Sequence, residues 1–125
     1  MTAIDSVASS ALSHWTTLGH SATVVPWDEV HGAIGPLEDG GKAIVEAVVV
    51  PSTKVIECVV SESADWALVL TQVRGVIDLG WSVIVLAPLS DMGAAHEGLR
   101  GSSARLQGWW RRAGDEMHFS RIEIA

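Results

Sequence analysis

Apolar positions near the start of the chain recur at spacings of three and four. Ile4, Val7, Ala8, Ala11, Leu12, Trp15 and Leu18 share one stripe, which predicts an amphipathic helix over residues 3–18. Thr2, with Asp5 three positions on, is close to a capping box, and Gly19 supplies the stop. The period then shortens. "ATVV" (22–25) predicts a short strand that Pro26 stops or bends, and "WDEVHGAIG" one or two helical turns before Gly35-Pro36. "LEDGGK" is a turn by composition. Residues 43–50 and 54–60 are rich in β-branched side chains around Pro51-Ser52-Thr53, which predicts a hairpin. Period 3.6 returns over residues 64–79, where Trp66, Val69, Leu70, Val73, Val76 and Ile77 form one face. Ser63 is the expected N-cap of that helix, Asp65 suits its first turn, and Gly80 stops it. "WSVIVLAP" (81–88) is continuously apolar, as in a strand covered on both faces, and Pro88 closes it.

Beyond Pro88 the pattern weakens. Ser90 heads a short helix through Arg100, with Gly93 and Gly98 each costing about 1 kcal/mol against alanine. "ARLQGWWRRAG" is open between helix and loop, and "MHFSRIEI" alternates imperfectly, as a last edge strand. The hairpin excludes a purely parallel sheet. The helix between residues 60 and 81 is long enough for a right-handed crossover between parallel strands. The expected fold is α/β, a single domain over residues 1–125 with a mixed sheet and helices on both sides. Its order is an N-terminal helix, three strands including a hairpin, a crossover helix, a fourth strand, a helical tail and a last strand.

Two carboxylates interrupt the valine runs of the hairpin. Glu57 shares a strand face with Val55 and Val59, and Glu46 with Ile44 and Val48. A three-residue loop between 50 and 54 sets the two on opposite faces. A loop of even length sets them on one face, either opposite or one diagonal away, and a four-residue loop at 50–53 sets Glu46 directly across from Glu57. An unpartnered buried carboxylate costs several kcal/mol, so three arrangements are open. The face opens into a cleft where the pair holds a divalent metal. Alternatively, a glutamate pairs with Lys54 or Arg74, or one face of an edge strand is wet.

Composition sharpens the class. The chain has 125 residues with 48% hydrophobic and 18% charged residues, which is globular. No apolar run approaches the roughly 18 residues of a spanning helix, and "MTAIDSVASSALSHW" lacks a basic leader. The one cysteine, Cys58, reads as a small buried apolar residue, and a reducing cytoplasm is the expected location. The net charge of −7 is uneven. Residues 1–99 hold three basic and twelve acidic side chains, and residues 100–125 five basic and three acidic. An acidic body repels phosphate backbones, so any nucleic-acid contact falls to the C-terminal piece. There "RLQGWWRR" interleaves tryptophans with arginines, residue types that form interface hot spots or stack on bases. None of the five histidines sits in a tight zinc pattern. His96-Glu97 beside Asp91 reads as a polar pocket after the 81–88 strand or as a solvated helix start.

The order helix–strand–strand–strand–helix–strand resembles the core of the PD-(D/E)XK nuclease-like superfamily. "IECVVSESADW" looks like its third strand passing into the next helix, and "GWSVIVLAP" followed by "AAHEGLRG" is similar to its fourth strand and following helix. The resemblance covers roughly residues 3–100. It implies that Glu46 and Glu57 are the two acids that hold magnesium, and that Gln72 faces the site from the helix. The implied activity is divalent-metal-dependent phosphodiester cleavage. The departure is at "ECV", where Val59 stands in place of the motif lysine. Valine neither donates a hydrogen bond nor carries charge, so the expected protein is nucleic-acid-associated, with catalysis absent or weak. Its expected contact surface is Arg105, Trp109, Trp110, Arg111 and Arg112, and magnesium is the one cofactor implied. A reading from another class is a small homodimeric interaction module with no enzymatic activity, joined through the tryptophan-rich tail or an exposed strand edge.

Overall fold

A computed structural model of the protein describes residues 3–30, 32, 43–111 and 116–125. The Thr2 cap, the chain through Gly35-Pro36, the "LEDGGK" turn and Arg112 lie outside these residues. The elements are α1 (Ala3–Thr17), β1 (Thr23–Pro26), β2 (Ile44–Val50), β3 (Val55–Val60), α2 (Trp66–Asp78), β4 (Ser82–Pro88), α3 (Met92–Leu99), β5 (Arg105–Arg111), β6 (Met117–Phe119) and β7 (Glu123–Ile124). Single 3-10 turns, Trp27–Glu29 and Leu89–Asp91, follow β1 and β4.

Among the described residues, seven strands form one mixed sheet in the order β1-β2-β3-β4-β5-β6, with β7 also paired to β5. β1, β2 and β3 are an antiparallel meander, β3, β4 and β5 run parallel, and β6 and β7 return antiparallel. The mixed α/β domain expected from the sequence is therefore present. α1 packs Val7, Ala8 and Ala11 on one face, against Val48, Val50, Val59 and Leu86. α2 and α3 cover the other face, over Ala47, Val49, Ile56, Cys58 and Val85. All six residues of β3 are buried, as are the last six of β4, which is why both strands read as unbroken apolar runs.

Local chemistry explains most boundaries. α1 ends in a Schellman motif: Gly19 sits at φ +85° and the His20 N–H reaches back to the Trp15 carbonyl. The cap of α2 is Asp65 rather than Ser63. The Asp65 carboxylate accepts the N–H groups of Ala67 and Leu68 at 3.1 and 3.3 Å, while Ser63 lies outside the helix at φ +54°. Gly98 lets α3 approach α2, because a Cβ there would stand 2.6 Å from the Trp66 Cβ.

Three expectations are corrected. Val50 pairs with Val55, so the hairpin loop holds four residues, 51–54, with Lys54 out of the strand at φ +52°. The ladder slips between Ile44 and Glu46, which turns Ile44 to the α2 face and leaves Glu46 on the face of Val48. "RLQGWWR" is neither helix nor loop but a full strand, β5, held on its far side by β6 and β7. The strand is interrupted between those two from Ser120. There the Oγ replaces a ladder acceptor, taking the Gly108 N–H at 2.8 Å.

Candidate functional site

The four-residue loop decides the geometry of the two glutamates. Val48 stands opposite Glu57 and Val59 opposite Glu46, so the carboxylates share the α1 face, one diagonal apart. That diagonal is about 7–8 Å between Cα atoms. Val59, fully buried, adjoins both.

Glu57 also belongs to a row that runs straight across the sheet. Glu57 pairs with Ile84, and Ile84 with Arg105. α1 crosses above this row, and the Trp15 indole N–H donates to the Glu57 Oε1. Between the last turns of α1 and the sheet lies a cleft of about 550 Å³. His14, Trp15, Arg105, Gln107, Met117 and Phe119 line it, with Glu57 in its floor. Glu57 is 6% exposed. Its second oxygen, Oε2, accepts no hydrogen bond among the described residues. Burial holds the Glu57 carboxyl above its ordinary pKa. The Trp15 hydrogen bond opposes the shift, as do the charges of His14 and Arg105. Next to it on the other face, Cys58 is fully buried, and burial together with Glu57 pushes its thiol far up.

The remaining predicted residues disperse. Gln72 is buried on α2 with Val69, Val73 and Val76, so the sheet separates it from Glu57. Lys54 and Arg74 are exposed and neither pairs with Glu57. β5 alternation divides the arginine–tryptophan set. Arg105, Trp109 and Arg111 share the α1 face, where Trp109 is buried. Trp110 points to the other face and stacks on His118, with centroids 5.6 Å apart and planes at 18°. Asp91 and His96 are each engaged elsewhere. Asp91 accepts the Ser63 N–H at 3.0 Å, and the His96 Nε2 lies 3.6 Å from a Glu123 oxygen.

The sequence reading missed Trp15, His14 and Gln107 as neighbours of Glu57. Trp15 counted only as one apolar position on the α1 stripe. Nothing local ties it to a residue 42 positions away. The one available signal is the polar flank of that stripe, Ser10, Ser13, His14 and Thr17, all of which line the cleft.

Among the described residues, no group of three or more histidine, cysteine or acidic side chains is arranged to hold a metal ion. No described helix is long and apolar enough to cross a membrane. No family model, curated protein or solved structure matches the chain.

Proposed function

We propose that the protein is a nucleic-acid-associated domain of restriction-endonuclease-like fold in which phosphodiester cleavage is absent or weak. One observation carries the reading: Glu46, Glu57 and Val59 are neighbours on one sheet face, inside a helix–meander–helix–strand frame. Those are the positions at which the resembling family sets two acids and a lysine. A buried valine at the lysine position removes the group that would stabilise developing negative charge.

The residues fit a resident magnesium ion poorly. Magnesium demands near-octahedral oxygen ligands and keeps several of its waters. Glu57 commits one oxygen to the Trp15 indole, lies under α1, and is held toward its neutral form by burial. With one Glu57 oxygen committed and no third acidic ligand beside it among the described residues, no step is routed through a metal.

Association with nucleic acid is supported by the basic bias of residues 100–125 and by β5, which sets Arg105 in the lining of the cleft. The homodimer reading has less support. Its strand-edge route would use β1, β6 or β7, of four, three and two residues, and such short edges are poor templates for pairing.

The test is fluorescence anisotropy with labelled single- and double-stranded oligonucleotides, followed by incubation with magnesium or manganese. The expected result is binding that weakens steeply with added salt, without cleavage, and a melting temperature that millimolar magnesium leaves unchanged. Absence of binding at low salt overturns the association. Magnesium-dependent cleavage that is lost in Glu57→Gln overturns the inactivity.

A further inference from the structure

Resting on the nucleic-acid reading, we infer that the cleft beneath α1 is a pocket for one nucleotide unit, with Glu57 reading an amino group on the base and Arg105 taking the phosphate. Glu57 is more than nine-tenths buried, lines the cleft, and has one oxygen engaged by Trp15. Its other oxygen accepts nothing among the described residues and is left available to whatever enters the cleft. Arg105 stands two strands away in the same row, so the two Cα atoms are about 10 Å apart. It makes no hydrogen bond or ion pair among the described residues, although its charge reaches Glu57. Acceptor and cation therefore face one space without closing on each other.

The walls fix the shape of what lies between them. Trp15 and Phe119 present rings, and Ile84, Met117 and Ile122 add apolar surface. A flat, nitrogen-bearing ring suits such walls, an N–H donor suits the floor, and an anion suits the far end. A base with its sugar and phosphate has those three parts in that order. The volume of about 550 Å³ admits one such unit and no duplex. Gln107 also lines the cleft, with its amide nitrogen held by the Ser120 carbonyl at 2.9 Å, so its side chain is fixed at the wall beside Arg105. The source of the unit, a free mononucleotide or a base splayed from a single strand, leaves this chemistry unchanged.

The discriminating pair is cytidine and uridine 5′-monophosphate. They share ring, sugar and phosphate and differ at one edge. Cytosine offers an exocyclic amine there, whereas uracil offers a carbonyl whose lone pairs meet those of Glu57. Binding is measured by calorimetry on the intact chain at mildly alkaline pH, with cytidine as the phosphate-free control. Cytidine monophosphate is expected to bind about tenfold or more tightly than the uridine form, one charged hydrogen bond being at stake. Glu57→Gln should erase most of that preference, and Arg105→Ala should bring the nucleotide down to the affinity of cytidine. If the mononucleotides fail, short oligo-deoxycytidine and oligo-deoxyuridine repeat the comparison and identify the strand as the source. Oligonucleotide binding with no preference for cytosine, or a preference intact in both variants, overturns the pocket while leaving the nucleic-acid reading standing. No binding by any of these probes overturns both.

Discussion

Glu57 shows what one buried carboxyl group does to a small domain. In the unfolded chain it titrates at its ordinary value of 4.5; in the fold, burial makes it hold its proton to higher pH. Below 4.5 it is protonated in both states and burial carries no ionic cost. As pH rises above that value the folded protein binds more protons than the unfolded chain, so stability falls. Above the raised value the loss is complete. Glu57→Gln keeps an acceptor for the Trp15 indole and removes the titration. In urea unfolding at a series of pH values, the variant should therefore gain on the native protein from mildly acid to neutral pH. A constant difference between the two would mean that the folded pKa is not raised. That a carboxylate among valines is anomalous was legible in the sequence. What satisfies it was not, because Trp15 meets it only through the packing of α1 on the sheet.

Elements with a clean period or an unbroken apolar run match their expected extents to within two residues: α1, the hairpin strands, α2 and β4. β5 was not, for a physical reason. On a strand with one wet face, polar and apolar residues alternate; in β5 the face under α1 mixes Arg105, Gln107, Trp109 and Arg111, and the other mixes Leu106, Gly108 and Trp110. Cleft and core share a face, so the period-two signal is lost. The hairpin register hung on Lys54 adopting a left-handed conformation, and the face of Ile44 on a bulge, and neither leaves a mark in composition. Helix α3 offers a paired test of packing against propensity. Gly93→Ala meets nothing within 4 Å and should be neutral or stabilising by up to about 1 kcal/mol. Gly98→Ala has the same propensity gain but drives its methyl into Trp66, and should cost about 1–3 kcal/mol through overpacking. Chemical denaturation of the two variants measures both, and a stabilising Gly98→Ala would show that α2 and α3 pack less closely. Ser120→Ala tests the break between β6 and β7. It strips the Gly108 N–H of its acceptor in a part-buried strand and should cost about 1–3 kcal/mol by the same measurement.

At the scale of the whole molecule, both the cleft and the stability of the sheet depend on segments far apart in sequence. Its roof is α1, its floor β3 to β5, and its far wall Met117, Phe119 and Ile122. None of these parts makes a site alone, which is why the sequence showed two acids and a basic tail as separate features. The same last segment also closes the sheet. β6 and β7 pair with β5, and the Ser120 N–H and Ala125 N–H donate to the Gly108 and Ala104 carbonyls. Removing residues 117–125 should therefore do two things together. β5 becomes a seven-residue edge with Trp109 uncovered, so the shortened protein should melt lower and self-associate, as read by thermal denaturation and light scattering. The cleft loses its far wall, so any selectivity for a flat ligand should fall with it. A shortened protein that stayed monomeric with an unchanged melting temperature would place all of the stability in α1 to β5. In that case a ligand's contact with the last strands would add affinity without being needed to form the floor on which Glu57 sits.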